Sequence, residues 1–304
     1  MNYTIKQWLI TWFNTYAKQH LAEKTQECHQ DSIRRAFKHD ENLSDMKLDK
    51  LTEMYFQSFL DSMSEIYSKS TISHIRSVFN MAYSAAKRNH LITANPIIGT
   101  QLPRNASVKK VSALTKFEQE KLEEALQFER HADVVRFYLY TGLRKSELTN
   151  LRWRDWDDKS GLIHITKSKT KTGIRYVPLV PEATLILHHL KNNRRSKKGD
   201  DFIFLDTKGN QFSKNSLRRM CERLKKAANL QTLTIHMFRH TFATRLAEKG
   251  INIKALATIL GHKNVAFTMQ RYVTPDVDFL KEQIMILSSV YANEPITQIK
   301  LNGF

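Results

Sequence analysis

Three consecutive runs decide the fold class: Gly161-Leu162-Ile163-His164-Ile165-Thr166, the turn Lys167-Ser168-Lys169-Thr170-Lys171-Thr172-Gly173, and Ile174-Arg175-Tyr176-Val177-Pro178-Leu179. The outer two are rich in β-branched and aromatic residues, which suits strands, and the polar turn with its glycine joins them as a hairpin. On either side of this stretch apolar residues return at three- and four-residue spacing. The chain is therefore expected to be mainly α, with a small antiparallel β-sheet set into its second part.

Upstream, the apolar stretch from Val134 to Tyr140 leads into Thr141-Gly142-Leu143-Arg144-Lys145-Ser146-Glu147-Leu148. Gly142 permits a tight turn, so Arg144 would project from the start of a new helix. A guanidinium there is able to grip phosphate oxygens in pairs, and Glu147, within one turn, orients it. Alone, this cluster is more ordinarily a solvated Arg/Glu pair. The domain that contains it opens at Thr115 and Glu118, spaced as a capping box.

Downstream, after a short strand candidate at Phe202–Leu205, comes His236-Met237-Phe238-Arg239-His240. On a helix, positions 236, 239 and 240 share one face, while Phe238 and Phe242 lie on another and anchor it. Three donors at a helix start suit a phosphate. No Asp, Glu or Cys follows at ligand spacing, which ranks a metal low. Next is Leu260-Gly261-His262-Lys263-Asn264, where Gly261 ends an apolar helix beginning near Asn252. Tyr272 follows ten residues after His262. A lone tyrosine there is ordinarily a half-buried packing residue. On the hairpin, Lys167, Lys169, Lys171 and Arg175 form a basic turn, read either as a solvated charge run or as a phosphate-contacting loop.

The first hundred residues read as helices. Ile5, Trp8, Leu9, Trp12, Phe13 and Tyr16 make one apolar stripe, and Ile72, Ile75, Phe79, Ala82, Tyr83 and Ala86 make another. Core packing explains these aromatics better than base stacking. Asn95-Pro96 is expected to end the last of these helices, and the basic, aperiodic stretch Arg104–Lys110 reads as a linker.

The charge balance of 48 Lys+Arg against 30 Asp+Glu gives +18. Residues 1–105 hold 13 basic and 10 acidic side chains and the remainder 35 and 20, so +15 lies beyond residue 105. Such a balance calls for a polyanionic partner, nucleic acid before an acidic membrane. Cys28 and Cys221 lie far apart and lack ligand spacing, as reduced thiols would. No apolar run approaches a membrane span and the N-terminus lacks a signal core, so a cytoplasmic protein is expected.

Together the clusters describe one chemistry. Phosphodiester transfer without a metal needs a nucleophile, cations around the non-bridging oxygens, and an acid for the leaving oxygen. Tyr272, then Arg144 and Arg239 with their histidines, then a lysine on the turn would supply these in order.

In that order, Thr141-Gly-Leu-Arg144-Lys-Ser-Glu147-Leu, Lys171-Thr-Gly173, His236-Met-Phe-Arg239-His240, Leu260-Gly-His262 and Tyr272 resemble the full catalytic signature of the tyrosine recombinases, or phage integrases, over roughly residues 113–280. The resemblance implies a helical core-site DNA-binding (SAM-like) domain at 1–104, a linker at 105–112 and a catalytic domain at 113–280. The tail at 281–304 either folds back on its own core or, as the resemblance implies, docks on a neighbouring protomer. Tyr272 would attack the scissile phosphate, held by Arg144 and Arg239 and hydrogen-bonded by His236 and His262. Lys171, preferred over Lys169, would protonate the leaving oxygen. Glu147 and His240 would support, and Lys167, Lys169 and Arg175 would contact DNA.

The implied partners are double-stranded DNA with core sites, a homotetramer on that DNA, and accessory DNA-bending or directionality factors, with neither metal nor ATP required. The implied task is integrating or excising a mobile element. The arm-type DNA-binding module of larger phage integrases is expected to be absent. A dimer resolvase, a type IB topoisomerase-like enzyme and a non-catalytic DNA-binding regulator are the alternatives.

Overall fold

The structure is a computed structural model. It describes residues 3–108, 112–168, 171–194, 196 and 198–272, with the backbone alone for Lys171 and for residues 270–272. The chain divides into two compact units, Met1–Lys110 and Val111–Phe304.

The first unit is helical: α1 (Ile5–Trp12), α2 (Glu23–His39), α3 (Asn42–Asp45), α4 (Glu53–Ser62) and α5 (Lys69–Arg88). Thr4 and Gln7 cap α1 reciprocally. The stripe of α1 turns inward, with Ile5, Trp8, Leu9 and Trp12 buried against α5, whose Ile72, Ile75, Phe79, Ala82 and Tyr83 are fully buried. The Trp8 indole N–H donates to the Ala82 carbonyl at 2.9 Å. These aromatics are core, as their spacing implies, and Tyr16 alone of the stripe stays exposed. The last helix ends earlier than expected, at Arg88 rather than at Asn95. His90 adopts a left-handed φ of 56°, which turns the chain back so that the Leu91 N–H reaches the Ala86 carbonyl at 3.0 Å. Asn95 then fastens the returning segment, its amide donating to Ser84 Oγ at 3.0 Å.

The second unit opens with α6 (Lys116–Leu126), where Thr115 and Glu118 close the capping box at 3.1 and 2.8 Å. There follow α7 (Ala132–Thr141), α8 (Lys145–Asn150), β1 (Trp156–Asp157), β2 (Leu162–Ile165) and β3 (Arg175–Pro178). Then come α9 (Pro181–Asn192), α10 (Lys214–Ala227), α11 (Ile235–Glu248), α12 (Ile253–Leu260) and α13 (Val265–Tyr272). The fold is mainly α with a three-stranded antiparallel sheet in the order β1-β2-β3.

Ile163 pairs with Val177 and Ile165 with Arg175, so the hairpin forms as read. The two-residue β1 was not legible. The expected strand at Phe202–Leu205 does not form a ladder. Ile203 donates to Leu151 on one side while Phe204 accepts from Phe212 on the other, so single bonds to two segments replace a continuous pairing. The core gathers where α11 packs on α7, with Phe137, Tyr138 and Phe238 fully buried. Cys221 is buried, which pushes its thiol up to about 11, and both cysteines are free. No helix among the described residues is long and apolar enough to cross a membrane.

Candidate functional site

The site is built where three chain reversals meet. Helix α7 is apolar because it crosses the core, and Gly142 stops it with φ 58°. A side chain at 142 would collide with Phe242, 2.2 Å from where its Cβ would stand. The chain then enters α8 with Arg144 at the N-cap. Glu147 reaches back to accept the Arg144 N–H at 2.7 Å and a guanidinium N–H of the same residue, also at 2.7 Å. Glu147 thus orients Arg144 at two points, main chain and side chain.

The carboxylate has a second cation. Arg175, on β3, donates two parallel bonds to Glu147, each 3.0 Å. It also donates to the carbonyls of Gly173 at 2.9 Å and Ile259 at 2.5 Å. Burial by itself would push the Glu147 carboxyl up, but Arg175 first and Arg144 after it outweigh this and hold it below the usual carboxylate range.

Arg239, buried on α11, donates to the Gly142 carbonyl at 2.6 Å and the Leu260 carbonyl at 2.7 Å. A further N–H of Arg239 lies 3.1 Å from His262 Nε2. Arg144 reaches the same reversal, donating to the Gly261 carbonyl at 2.6 Å. Gly261 ends α12 in the left-handed region at φ 66°, which lets His262 donate its N–H back to Ala257 at 2.9 Å. His262 Nδ1 lies 2.9 Å from Thr268 Oγ1 on α13.

The cluster therefore holds three guanidiniums and one carboxylate, a net of two positive charges. Arg144 is the most open of the three, its side chain 32% exposed against 4% for Arg175. An anion settling there would gain charge-assisted hydrogen bonds in partly desolvated surroundings.

Of the residues singled out in the sequence, Arg144, Glu147, Arg239 and His262 come together in this cluster. His236 sits exposed in the first turn of α11, while His240 is buried one turn on. Lys167 is exposed, lining a groove of about 250 Å³ with Arg154 and His164. The backbone of Lys171 lies in a 3₁₀ turn ending at Gly173, but its side chain falls outside the described residues, as Lys169 does entirely. Tyr272 closes α13, with its side chain likewise outside. The tail at 281–304 lies wholly outside them.

Arg175 requires a correction. Read as a DNA contact on a basic turn, it is instead buried, with four of its five N–H donors occupied inside the protein. A guanidinium so committed cannot reach a surface phosphate. The signal was available: Arg175 shares its strand face with Val177, which is fully buried. The sequence also gave no hint that Gly142, Leu260 and Gly261 matter through their carbonyls. Among the described residues, no group of three or more His, Cys, Asp or Glu side chains is placed to hold a metal.

Fold and site define the class: a helix-rich protein whose arginines, wired to backbone carbonyls, form a cationic cluster beside a helix that ends in tyrosine. The chain belongs to the phage integrase family, the tyrosine recombinases, whose model matches residues 109–278. It is 29% identical over 245 residues to the transposase from transposon Tn916 of Enterococcus faecalis, covering 70% of this chain and 60% of that protein's length. It is 30% identical to the tyrosine recombinase XerC of Bacillus licheniformis, covering 72% of this chain and 74% of that one.

Among solved structures, the Tn1549 transposon integrase in complex with circular intermediate DNA superposes with a TM-score of 0.79. It is 25% identical, and the match covers 92% of this chain and 99% of that one. The lambda integrase tetramer bound to a Holliday junction shares the fold, with a TM-score of 0.75 at 23% identity, over 90% of this chain and 78% of that one.

Proposed function

We propose that the chain is a site-specific DNA recombinase that integrates or excises a mobile element through a 3′-phosphotyrosyl intermediate. One observation carries this reading: two of its guanidiniums, on Arg144 and Arg239, are held by bonds of 2.6–2.7 Å around the same reversal that presents His262. Its likeness to a transposon transposase and to an integrase bound to circular intermediate DNA supports the mobile-element task.

In this reading Tyr272 Oη gives up its hydroxyl proton to solvent and attacks the scissile phosphorus. The bond to the 5′ oxygen breaks, and that oxygen leaves with a proton from Lys171. Arg144 and Arg239 balance the charge that grows on the non-bridging oxygens, with His236 and His262 as further hydrogen-bond partners. Glu147 and Arg175 hold Arg144 in place, and His240, buried next to Arg239 in sequence, supports the site. The phosphotyrosyl bond keeps the energy of the broken linkage, so a 5′-hydroxyl attacks it and rejoins the strand without ATP or metal.

Lys167 and Lys169 contact the DNA backbone, and residues 1–104 form the core-site-binding domain. The enzyme works in the cytoplasm as a homotetramer on double-stranded DNA, an assembly supported by the lambda integrase tetramer of the same fold.

The test searches the DNA flanking the gene for direct repeats and uses nicked duplexes built on them. The wild-type chain is expected to give a denaturant-resistant protein–DNA adduct. Tyr272→Phe is expected to bind the same duplex and give none. An adduct that persists in Tyr272→Phe overturns the assignment of the nucleophile.

A further inference from the structure

We propose that Thr268 is a positioning residue, whose hydroxyl sets the protonation pattern of His262 and ties that histidine to the helix ending on Tyr272. The proposal rests on the recombinase reading and extends it to a residue no motif marks.

Thr268 is fully buried in α13. A buried threonine within a helix ordinarily returns its hydroxyl to the carbonyl four residues back. Thr141 and Thr241, both buried, do so in this unit at 2.7 and 2.8 Å. Thr268 instead places Oγ1 2.9 Å from His262 Nδ1.

The other side of the ring fixes the direction of that bond. Nε2 lies 3.1 Å from Arg239 Nη2, and a guanidinium only donates. Nε2 must therefore accept, and the ring proton sits on Nδ1, donated to Thr268. Phe267 packs edge-on to the ring with centroids 5.2 Å apart, which limits its rotation.

A hydroxyl is the one small group that serves both states of this ring. When a phosphate oxygen takes the place of the guanidinium at Nε2, the ring must present an N–H there. The Thr268 hydroxyl then reverses and donates to Nδ1, or keeps accepting where the ring has gained a second proton. Valine, of nearly the same shape, does neither. Positions 268 and 272 lie one turn apart on one side of a helix. The residue that sets the histidine therefore also sets the register of the helix that carries the nucleophile.

The experiment uses the full chain, with Thr268→Val and Thr268→Ser, and two readouts. The first is the ¹⁵N spectrum of the histidine rings, with the His262 signals assigned by their loss in His262→Gln. Wild type and Thr268→Ser are expected to show the proton on Nδ1 of His262, and Thr268→Val to lose that signature. The second is the rate of covalent adduct formation at saturating nicked duplex. Thr268→Val is expected to be slowed about tenfold, the rate equivalent of one hydrogen bond, with DNA affinity unchanged, and Thr268→Ser to be restored. The proposal is overturned if Thr268→Val keeps the wild-type ring signature, if Thr268→Ser fails as Thr268→Val does, or if only DNA affinity falls. A wild-type chain that forms no adduct sinks the recombinase reading instead, while the ring spectrum still decides whether Thr268 sets His262.

Discussion

Glu147 is the acid on which two arginines depend, and its surroundings have a consequence for stability against pH. Its carboxyl is held below the ordinary value of 4.5. A group whose folded pKa is depressed contributes stability that is fully present above the unfolded value and lost as pH falls through the folded one. The wild-type chain should therefore lose this contribution below about pH 4.5, whereas Glu147→Gln should show no such step. At neutral pH that variant leaves a buried guanidinium without its counter-charge, which typically costs about 3–5 kcal/mol. Denaturant unfolding across pH 3–7 checks both. Arg144, Glu147 and Arg239 were legible because glycine, arginine and histidine at these spacings carry chemistry in their identities. Arg175 was misread because charge on a turn looks solvated until the strand's alternation is weighed. Thr268 carries no sequence signal, since its role depends on a ring six residues away.

At the scale of elements, helix ends do more here than helix bodies. Gly261 must take φ 66°, and a Cβ there would stand 3.1 Å from Arg175 Cδ. Gly261→Ala is expected to lower stability by about 1–2 kcal/mol and to slow adduct formation by shifting the carbonyl that Arg144 grips. Asn252→Ala removes the cap at the opposite end of α12, where Asn252 Oδ1 accepts from Lys254 and Ala255. It is expected to cost about 1 kcal/mol with cleavage unimpaired. Equal effects on cleavage would show that α12 matters only as a whole. The helices themselves were legible from periodicity and capping, as Thr115 and Glu118 show. The misjudged end of α5 has a plain cause: His90 adopts a conformation in which glycine or asparagine is the usual occupant.

At the scale of the whole molecule the charge decides the partner. Most of the +18 lies in the second part of the chain. Binding to duplex DNA with about six phosphate contacts should fall roughly a thousandfold between 50 and 200 mM salt, measurable by anisotropy titration. A flat response would contradict DNA as the partner.

The arginine anchors add a matter of timing. Arg239 is tied to a carbonyl 97 residues before it, and Arg144 to one 117 residues after it. Contacts so distant in sequence carry a large loop-closure cost. A nascent chain that stops short of α12 lacks the Leu260 and Gly261 carbonyls, leaving Arg239 its Gly142 bond and Arg144 its Glu147 bonds alone. The full set of arginine anchors is thus completed only once α12 has been synthesised.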